Sequence, residues 1–314
     1  MSNPLSSTNS RMKIRLLPLC FTFSLFFGIA SVRFTFAAPY QSSWPIYSEI
    51  LGGESWYVVK KNDSLYSISG RDGSTWQYLA RRNNLNPFHN LSIDQRLVVN
   101  NRHIIPQNQV TDGLLLNIPE HRLYLFEQGN LIRRFPVGVG RFDWPTPVGS
   151  FVITGKFKNR TWTVPKSIQE EMKREGKVVL EKVPPGPDNP LGKYWLPLSV
   201  PGYGIHATIW PESIGHSTSH GCIRMATEDI ENLFGQIKPG IPITIVYEPV
   251  KLAVTSERKI FLEVHTNTYQ KQFSYWNHIN KLADQSGFSD QIDWPRVTQV
   301  LRERNGIAEE ITRK

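Results

Sequence analysis

IHATIWPESIGHSTSHGCIRM, residues Ile205 to Met225, is the most informative stretch of the sequence. It places a single cysteine beside three histidines and an arginine. A thiol that acts as a nucleophile needs a base to take its proton, donors for a developing oxyanion, and little bulk around the sulfur. This stretch holds a candidate for each requirement, so it predicts a cysteine enzyme.

Cys222 is the candidate nucleophile. Gly221 precedes it, so the chain can turn tightly there without a side chain that blocks an incoming carbonyl group. A nearby positive group, Arg224 or a protonated histidine, lowers the pKa of a thiol. We therefore expect Cys222 to be a thiolate at neutral pH.

His206 is the candidate general base and acid. It lies sixteen residues before Cys222, at the end of a predicted strand that would hold its imidazole rigidly. His220 is an alternative, because residues two apart in an extended segment share a face. It is either the competing base or a donor on the oxyanion side.

A zinc site is the other chemistry open to this stretch, with His216, His220 and Cys222 as ligands. A fourth ligand is missing, since no second cysteine or clear carboxylate stands nearby. The sequence also lacks a glycine-rich phosphate-binding loop between a strand and a helix. We therefore expect no metal and no other cofactor.

Residues 1–38 have the pattern of a secretory signal peptide. Basic residues precede an apolar run from Leu16 to Ala30, and small residues follow at Ala37 and Ala38. The alternative is an uncleaved membrane anchor, but the run is shorter than the roughly 20 residues of a spanning helix. A lipoprotein anchor at Cys20 is disfavoured by Leu19. We expect cleavage, after Ala30 or Ala37, and export to the periplasm.

Cleavage would leave Cys222 as the one cysteine of the mature chain, without an intramolecular disulfide partner. Exported proteins usually pair their cysteines, so an unpaired thiol indicates chemistry or a buried bystander. The formal charge of +9 would fall to about +5 without the four basic residues of the leader. No basic run interleaved with aromatic residues is present, so we expect no nucleic-acid partner.

The 314 residues, 39% of them apolar, suffice for one full core and a small second domain. Residues 39–55 are rich in Ser, Pro and Gly and predict a linker. Residues 56–106 predict a compact βααβ unit, and residues 111–248 a β-rich sandwich or barrel. Residues 249–314 predict a C-terminal helical extension, in which a short strand at IFLEVH precedes two helices. The predicted fold class is α+β, mainly β.

The first unit resembles a LysM repeat in three segments, YVVKKNDSLYSI, WQYLARRNNL and LSIDQRLVV. Asp63 or Ser64 can cap its first helix and Thr75 its second. Asn62 replaces the glycine that the family usually has. The resemblance implies binding to glycans that contain N-acetylglucosamine. The alternative is a LysM-like fold that serves only as a spacer.

The second unit is identified as a member of the YkuD-type L,D-transpeptidase family, whose signature is a histidine followed some sixteen residues later by S/T-H-G-C. The segments VGVGRFDWPTPVGSF, TWTVPKSI and VPPGPDNPLGKYWLPL extend the resemblance. It implies a YkuD-type β-sandwich with Cys222 as nucleophile and His206 as proton donor and acceptor, oriented by a neighbouring backbone carbonyl. Further site residues are implied on the oxyanion and substrate side: Ser219, His220, Gly221, Arg224 and Ala207. Ala207 departs from the usual glycine, which we expect the site to tolerate.

The resemblance implies that the chain acts on peptidoglycan, with tetrapeptide stems and glycan strands as partners. A thioester would form with release of D-alanine, and an amine would accept the stem: another stem, an outer-membrane lipoprotein lysine or a D-amino acid. Water as acceptor would make the enzyme an L,D-carboxypeptidase. The rivals are a noncatalytic wall-binding protein and a Cys-His endopeptidase.

Overall fold

A computed structural model describes residues 45–87, 90–107 and 109–314. The predicted signal peptide, residues 1–38, and the first residues of the predicted linker lie outside the described part. Within it, no helix has the length and apolar character needed to span a membrane.

The N-terminal unit contains the predicted βααβ order, with one further short strand on each side. Its elements are β1 (Ile50–Leu51), β2 (Glu54–Val58), α1 (Leu65–Asp72), α2 (Trp76–Arg82), β3 (Arg96–Asn100) and β4 (His103–Ile104). β2 and β3 pair antiparallel, and β1 pairs with β4. Leu79 and Leu97 are among the side chains buried between the helices and this small sheet.

Local signals in the sequence set the starts of both helices. Ser64, and not Asp63, caps α1, because its hydroxyl accepts a hydrogen bond from the backbone N–H of Ser67 at 3.1 Å. Thr75 caps α2 through the N–H of Tyr78. Asn62 has a φ of 70°, a left-handed conformation that asparagine tolerates better than most residues. This explains how it replaces glycine.

The central unit contains a ten-stranded sheet, a separate two-stranded sheet and two helices. Its elements are β5 (Gly113–Asn117), β6 (Arg122–Glu127), β7 (Asn130–Gly140), β8 (Gly149–Val152), β9 (Phe157–Lys158), β10 (Trp162–Thr163), α3 (Lys166–Arg174), β11 (Lys182–Val183), β12 (Tyr194–Pro197), β13 (Gly204–Ala207), β14 (Ser217–Ser219), β15 (Ile223–Met225), α4 (Thr227–Gln236) and β16 (Pro242–Val246).

The strand order is β8-β16-β5-β6-β7-β15-β13-β12-β9, and β14 pairs with β7 outside this path. The sheet curls back on itself, since Ile153 after β8 bridges to Leu198 after β12. The N–H of Ser199 also donates to the carbonyl of Val152 at 2.9 Å. The curled sheet encloses the main apolar core, and the fold is α+β and mainly β, as predicted.

The C-terminal segment contains the predicted strand, β18 (Ile260–Val264), and the two predicted helices, α5 (Tyr275–Ser286) and α6 (Trp294–Glu303). Two strands that were not predicted, β17 (Val250–Val254) and β19 (Glu309–Glu310), pair with β18 in a three-stranded sheet. β17 and β18 form an antiparallel hairpin, and α5 and α6 bury their apolar faces on it. The segment therefore has a core of its own.

The N-terminal unit packs closely on the central sheet. The buried guanidinium of Arg122 on β6 donates to the carbonyl oxygens of Gly70 and Arg71, at 3.3 and 2.8 Å, near the end of α1. A positive group there also complements the helix dipole. Tyr66 stacks on His216 with ring centroids 3.4 Å apart. His216 thus serves the contact between the two units.

Candidate active site

The register between two parallel strands brings Cys222 and His206 to one face. β13 and β15 are neighbours, with Ile205 opposite Ile223 and His206 opposite Arg224. Cys222 directly precedes β15, so its side chain lies on the same face as that of Arg224. A strand spacing of about 4.8 Å and a two-residue rise of about 6.6 Å place the two Cα atoms about 8 Å apart.

His206 is buried and held by its own strand. Its Nδ1 lies 2.6 Å from the carbonyl oxygen of Ala207, so Nδ1 carries the proton and Nε2 is left as the acceptor. Burial, together with the charge of Arg224, lowers the pKa of His206 to about 4, against the opposing effects of the Ala207 and Pro190 backbone. The imidazole is therefore neutral at pH 7, as a general base must be.

Cys222 is a free cysteine whose resting state differs from the expected thiolate. Part of the residue is exposed, but desolvation of the sulfur raises the pKa of Cys222 to about 11. The Gly204 backbone and the charge of Arg224 act in the opposite direction and do not outweigh it. The resting group is a thiol, and its Sγ lies 3.6 Å from the carbonyl oxygen of Gly202.

A tight turn presents the cysteine. The buried Ser219 hydroxyl donates to the carbonyl oxygen of Cys222 at 2.5 Å and accepts from the N–H of Gly221 at 3.1 Å. Gly221 has a φ of 97°, and a Cβ there would lie 2.6 Å from the ring of Tyr203. The turn thus needs glycine for its backbone conformation and for the packing of the tyrosine.

His220 has a partner that sequence reasoning missed. Its Nε2 lies 2.5 Å from Glu171 on α3, whose other carboxylate oxygen pairs with Arg141 at 2.5 Å. The hydrogen bond from Arg141, and then that from His220, lower the pKa of Glu171. Glu171 stands in a run of charged helical residues, and no local signal distinguishes it from Glu170.

Arg224 lies beside the nucleophile with unused hydrogen-bonding capacity. Its guanidinium lies 5.0 Å from the Trp210 ring centroid, and one nitrogen donates to the Thr218 hydroxyl at 3.3 Å. Its Nε is buried and has no hydrogen-bond partner. Such a donor suits an anionic or carbonyl group of a bound molecule.

Ala207, which departs from the family's usual glycine, is accommodated by a glycine elsewhere. It is fully buried, and a Cβ at Gly192 would lie only 2.7 Å from the Ala207 methyl group. Because Gly192 has no side chain, the extra methyl fits without displacing the carbonyl that holds His206.

The three residues of the zinc alternative do not come together as ligands. His216 contacts Tyr66, His220 contacts Glu171, and the Cys222 thiol contacts Gly202. Elsewhere in the described ranges, ligand atoms of His103, Glu120 and Glu263 lie within 4.8 Å of one another. The Lys251 ammonium lies 3.0 Å from Glu120 and 2.8 Å from Glu263. It is the cation of that cluster.

Two known protein families match this chain, one of them over the residues that hold Cys222 and His206. Residues 111–245 match the family described as YkuD, L,D-transpeptidase catalytic domain. The chain carries a YkuD-type L,D-transpeptidase catalytic domain. Residues 57–100 match the LysM domain family, so a LysM domain precedes it. L,D-transpeptidases act on peptidoglycan and LysM domains bind it, so both domains indicate the same material.

Proteins similar to this chain carry the same family name in their descriptions. "Probable L,D-transpeptidase ErfK/SrfK" of Salmonella typhimurium is 29% identical over 90% of this chain and 94% of that protein. "Probable L,D-transpeptidase YbiS" of Escherichia coli is 33% identical over 58% of each chain. Among solved structures, an L,D-transpeptidase from Mycobacterium smegmatis covers 65% of this chain and 95% of its own at 14% identity, with a TM-score of 0.36.

Proposed function

We propose that this protein is a peptidoglycan L,D-transpeptidase that forms a thioester on Cys222 and uses His206 as base and acid. The observation that carries the proposal is the hydrogen bond between His206 Nδ1 and the Ala207 carbonyl oxygen. It leaves Nε2 of a neutral imidazole as a proton acceptor, on the strand face shared with Cys222.

The first step is attack by Cys222 on the carbonyl carbon of the third residue of a tetrapeptide stem. Because the thiol is protonated at rest, the S–H proton passes to His206 Nε2 as the S–C bond forms. The sulfur must leave Gly202 for this, which a rotation about the Cα–Cβ bond provides. The tetrahedral oxyanion then collapses, and His206 gives its proton to the departing D-alanine amine.

The second step transfers the stem from sulfur to an amine. His206 takes a proton from the acceptor amine, which attacks the thioester carbonyl, and the thiol is regenerated. The acceptor is another stem, a lipoprotein lysine or a D-amino acid, while water would make the reaction an L,D-carboxypeptidation. The proposed chemistry needs no cofactor.

The residues around the thiol have complementary roles in this proposal. The N–H of Cys222 and the His220 side chain would face the developing oxyanion. The N–H of Gly221 is bound by Ser219, which holds the turn that presents the thiol. The Arg224 guanidinium, whose Nε is buried without a hydrogen-bond partner, would bind a carboxylate of the stem. A stem with meso-diaminopimelate at the third position is the best probe of this contact.

Mass spectrometry of stem peptides tests the catalytic proposal. Disaccharide-tetrapeptide is incubated with the mature protein and with Cys222→Ala. Release of D-alanine together with a cross-link or an exchanged residue, absent in the variant, supports the transpeptidase. Release of D-alanine without transfer indicates a carboxypeptidase, and cleavage inside the stem indicates an endopeptidase. No product from either protein would favour the wall-binding alternative.

We propose further that the protein is exported to the periplasm, with its signal peptide cleaved after Ala30 or Ala37, and that the LysM domain binds glycan strands. The test uses the full mature chain as Cys222→Ala, so that no acyl-enzyme forms. Cosedimentation with sacculi should fall when N-acetylglucosamine oligomers are added. Binding that the oligomers do not reduce would contradict the glycan role. The N-terminus of the mature protein, read by mass spectrometry, tests the cleavage.

A further inference from the structure

The C-terminal segment reaches the catalytic turn through one tyrosine. Tyr269 lies in the connection between β18 and α5, is 8% exposed, and stacks on Tyr247 with ring centroids 5.4 Å apart. Its hydroxyl donates to the carbonyl oxygen of Gly140 at 2.9 Å and accepts from the N–H of Thr146 at 3.0 Å. It therefore ties the end of β7 to the loop that follows it.

Thr146 continues this network to the nucleophile. Its buried hydroxyl accepts from the N–H of Gly140 at 2.9 Å and donates to the carbonyl oxygen of Gly221 at 2.9 Å. Each donor in this group has one acceptor, so the two hydroxyls and three backbone segments form a closed hydrogen-bonded set. Such a fully satisfied buried network holds its members in one arrangement.

The Gly221 carbonyl matters because it belongs to the peptide unit that ends at Cys222 N. A trans peptide is planar, with C=O and N–H on opposite sides. Anchoring the carbonyl on Thr146 therefore directs the Cys222 N–H the other way and limits rotation of the unit. An oxyanion donor stabilises the transition state only when it is aimed in advance.

We propose that Tyr269 is a positioning residue that, through Thr146, orients the Gly221–Cys222 peptide for oxyanion stabilisation, so that the C-terminal segment is part of the catalytic apparatus. This inference rests on the proposed transpeptidase function. Tyr269 itself does not touch the reacting atoms, since Thr146 and Gly221 stand between it and the thiol.

The test compares Tyr269→Phe with Tyr275→Phe in the full mature chain. Tyr275 is the matched control, because it lies in the same segment and its hydroxyl donates to the carbonyl of His265 at 2.7 Å, away from the thiol. Each variant loses one hydroxyl and keeps its ring. We expect similar falls in Tm, but a kcat for D-alanine release that falls about 10- to 100-fold only in Tyr269→Phe, with an unchanged KM.

Thr146→Val and Thr146→Ser provide a second comparison that does not depend on Tyr269→Phe folding. Valine has the shape of threonine without the hydroxyl, so kcat should fall as in Tyr269→Phe, while serine should retain most of it. An active wild type with unchanged kcat in Tyr269→Phe or Thr146→Val would overturn the inference. Equal losses of kcat in Tyr269→Phe and Tyr275→Phe would also overturn the inference, because they would show a general effect on stability. An inactive wild type would instead overturn the proposed function.

Discussion

The imidazole of His206 is hydrogen bonded, at 2.6 Å, to the carbonyl oxygen of Ala207, the next residue in its own strand. A carbonyl in that position orients the ring and raises the pKa of the imidazole, but less than the full charge of a carboxylate would. Burial outweighs this effect and brings the pKa of His206 down to about 4. The pair thus holds a base ready at neutral pH.

The first prediction concerns which histidine is the base. His206→Ala should lower kcat by about 10²- to 10⁴-fold, the range for loss of a general base. His220→Ala should cost less, because His220 is engaged with Glu171. Steady-state kinetics of D-alanine release measure both. A larger loss in His220→Ala would reverse the assignment.

The second prediction concerns the protonation state of Cys222. With a pKa of about 11, the thiol should deprotonate only as the pH approaches that value, since the charged form is desolvated. At pH 7 about one molecule in 10⁴ would carry a thiolate. This titration is measured as the difference in ultraviolet absorbance between the wild type and Cys222→Ala at each pH, because the thiolate absorbs and the thiol does not. A thiolate signal near pH 7 would show a preformed ion pair instead.

The third prediction concerns Glu171. Glu171→Gln weakens the contacts with His220 and Arg141 and should lower kcat/KM by up to about fivefold, as expected for partly exposed ion pairs. Glu170→Gln is the matched control, since it removes the same charge from an exposed position on α3. Equal effects in the two variants would mean that only the overall charge of the helix matters.

The fourth prediction concerns the fit between Gly192 and Ala207. Gly192→Ala adds a methyl group 2.7 Å from that of Ala207, at a φ of 59°, and should cost about 2–4 kcal/mol of unfolding free energy. Gly176→Ala has a similar φ of 68° without a neighbouring atom and should cost about 1–2 kcal/mol. Combining Gly192→Ala with Ala207→Gly should recover part of the loss. Denaturant unfolding measures the free energy of unfolding of all three variants. If the effects of Gly192→Ala and Ala207→Gly simply add in the double variant, the two methyl groups do not clash.

The fifth prediction concerns Lys251, whose ammonium lies between Glu120 and Glu263 in a fully buried cluster. Lys251→Met leaves these carboxylates without their cation and should destabilise the protein by about 3–5 kcal/mol. Lys259→Met removes an exposed ammonium from the same hairpin and should change stability little. Thermal unfolding compares them, and an equal Tm in the two variants would count against a role for the buried cation.

Much of the local structure could be predicted because its causes are local. Ser64 and Thr75 start helices because their hydroxyls reach the backbone three residues ahead. The resemblance to the family signature predicted that His206 and Cys222 share a site, whereas the parallel pairing of β13 with β15 is visible only in the structure. The first strand of the C-terminal hairpin, β17, was not predicted, because Val250–Val254 lacks a clear alternation and is buried on both faces.

By itself, the sequence determined the chemistry that is available: an unpaired thiol, a histidine sixteen residues before it, and a glycine that allows the turn. The tertiary structure alone decided how these groups are used. It paired His220 with Glu171, brought Tyr269 to Thr146, and partly desolvated the Cys222 thiol. The physical reason is that desolvation and hydrogen bonding depend on which atoms surround a group, and those atoms come from segments far apart in the chain.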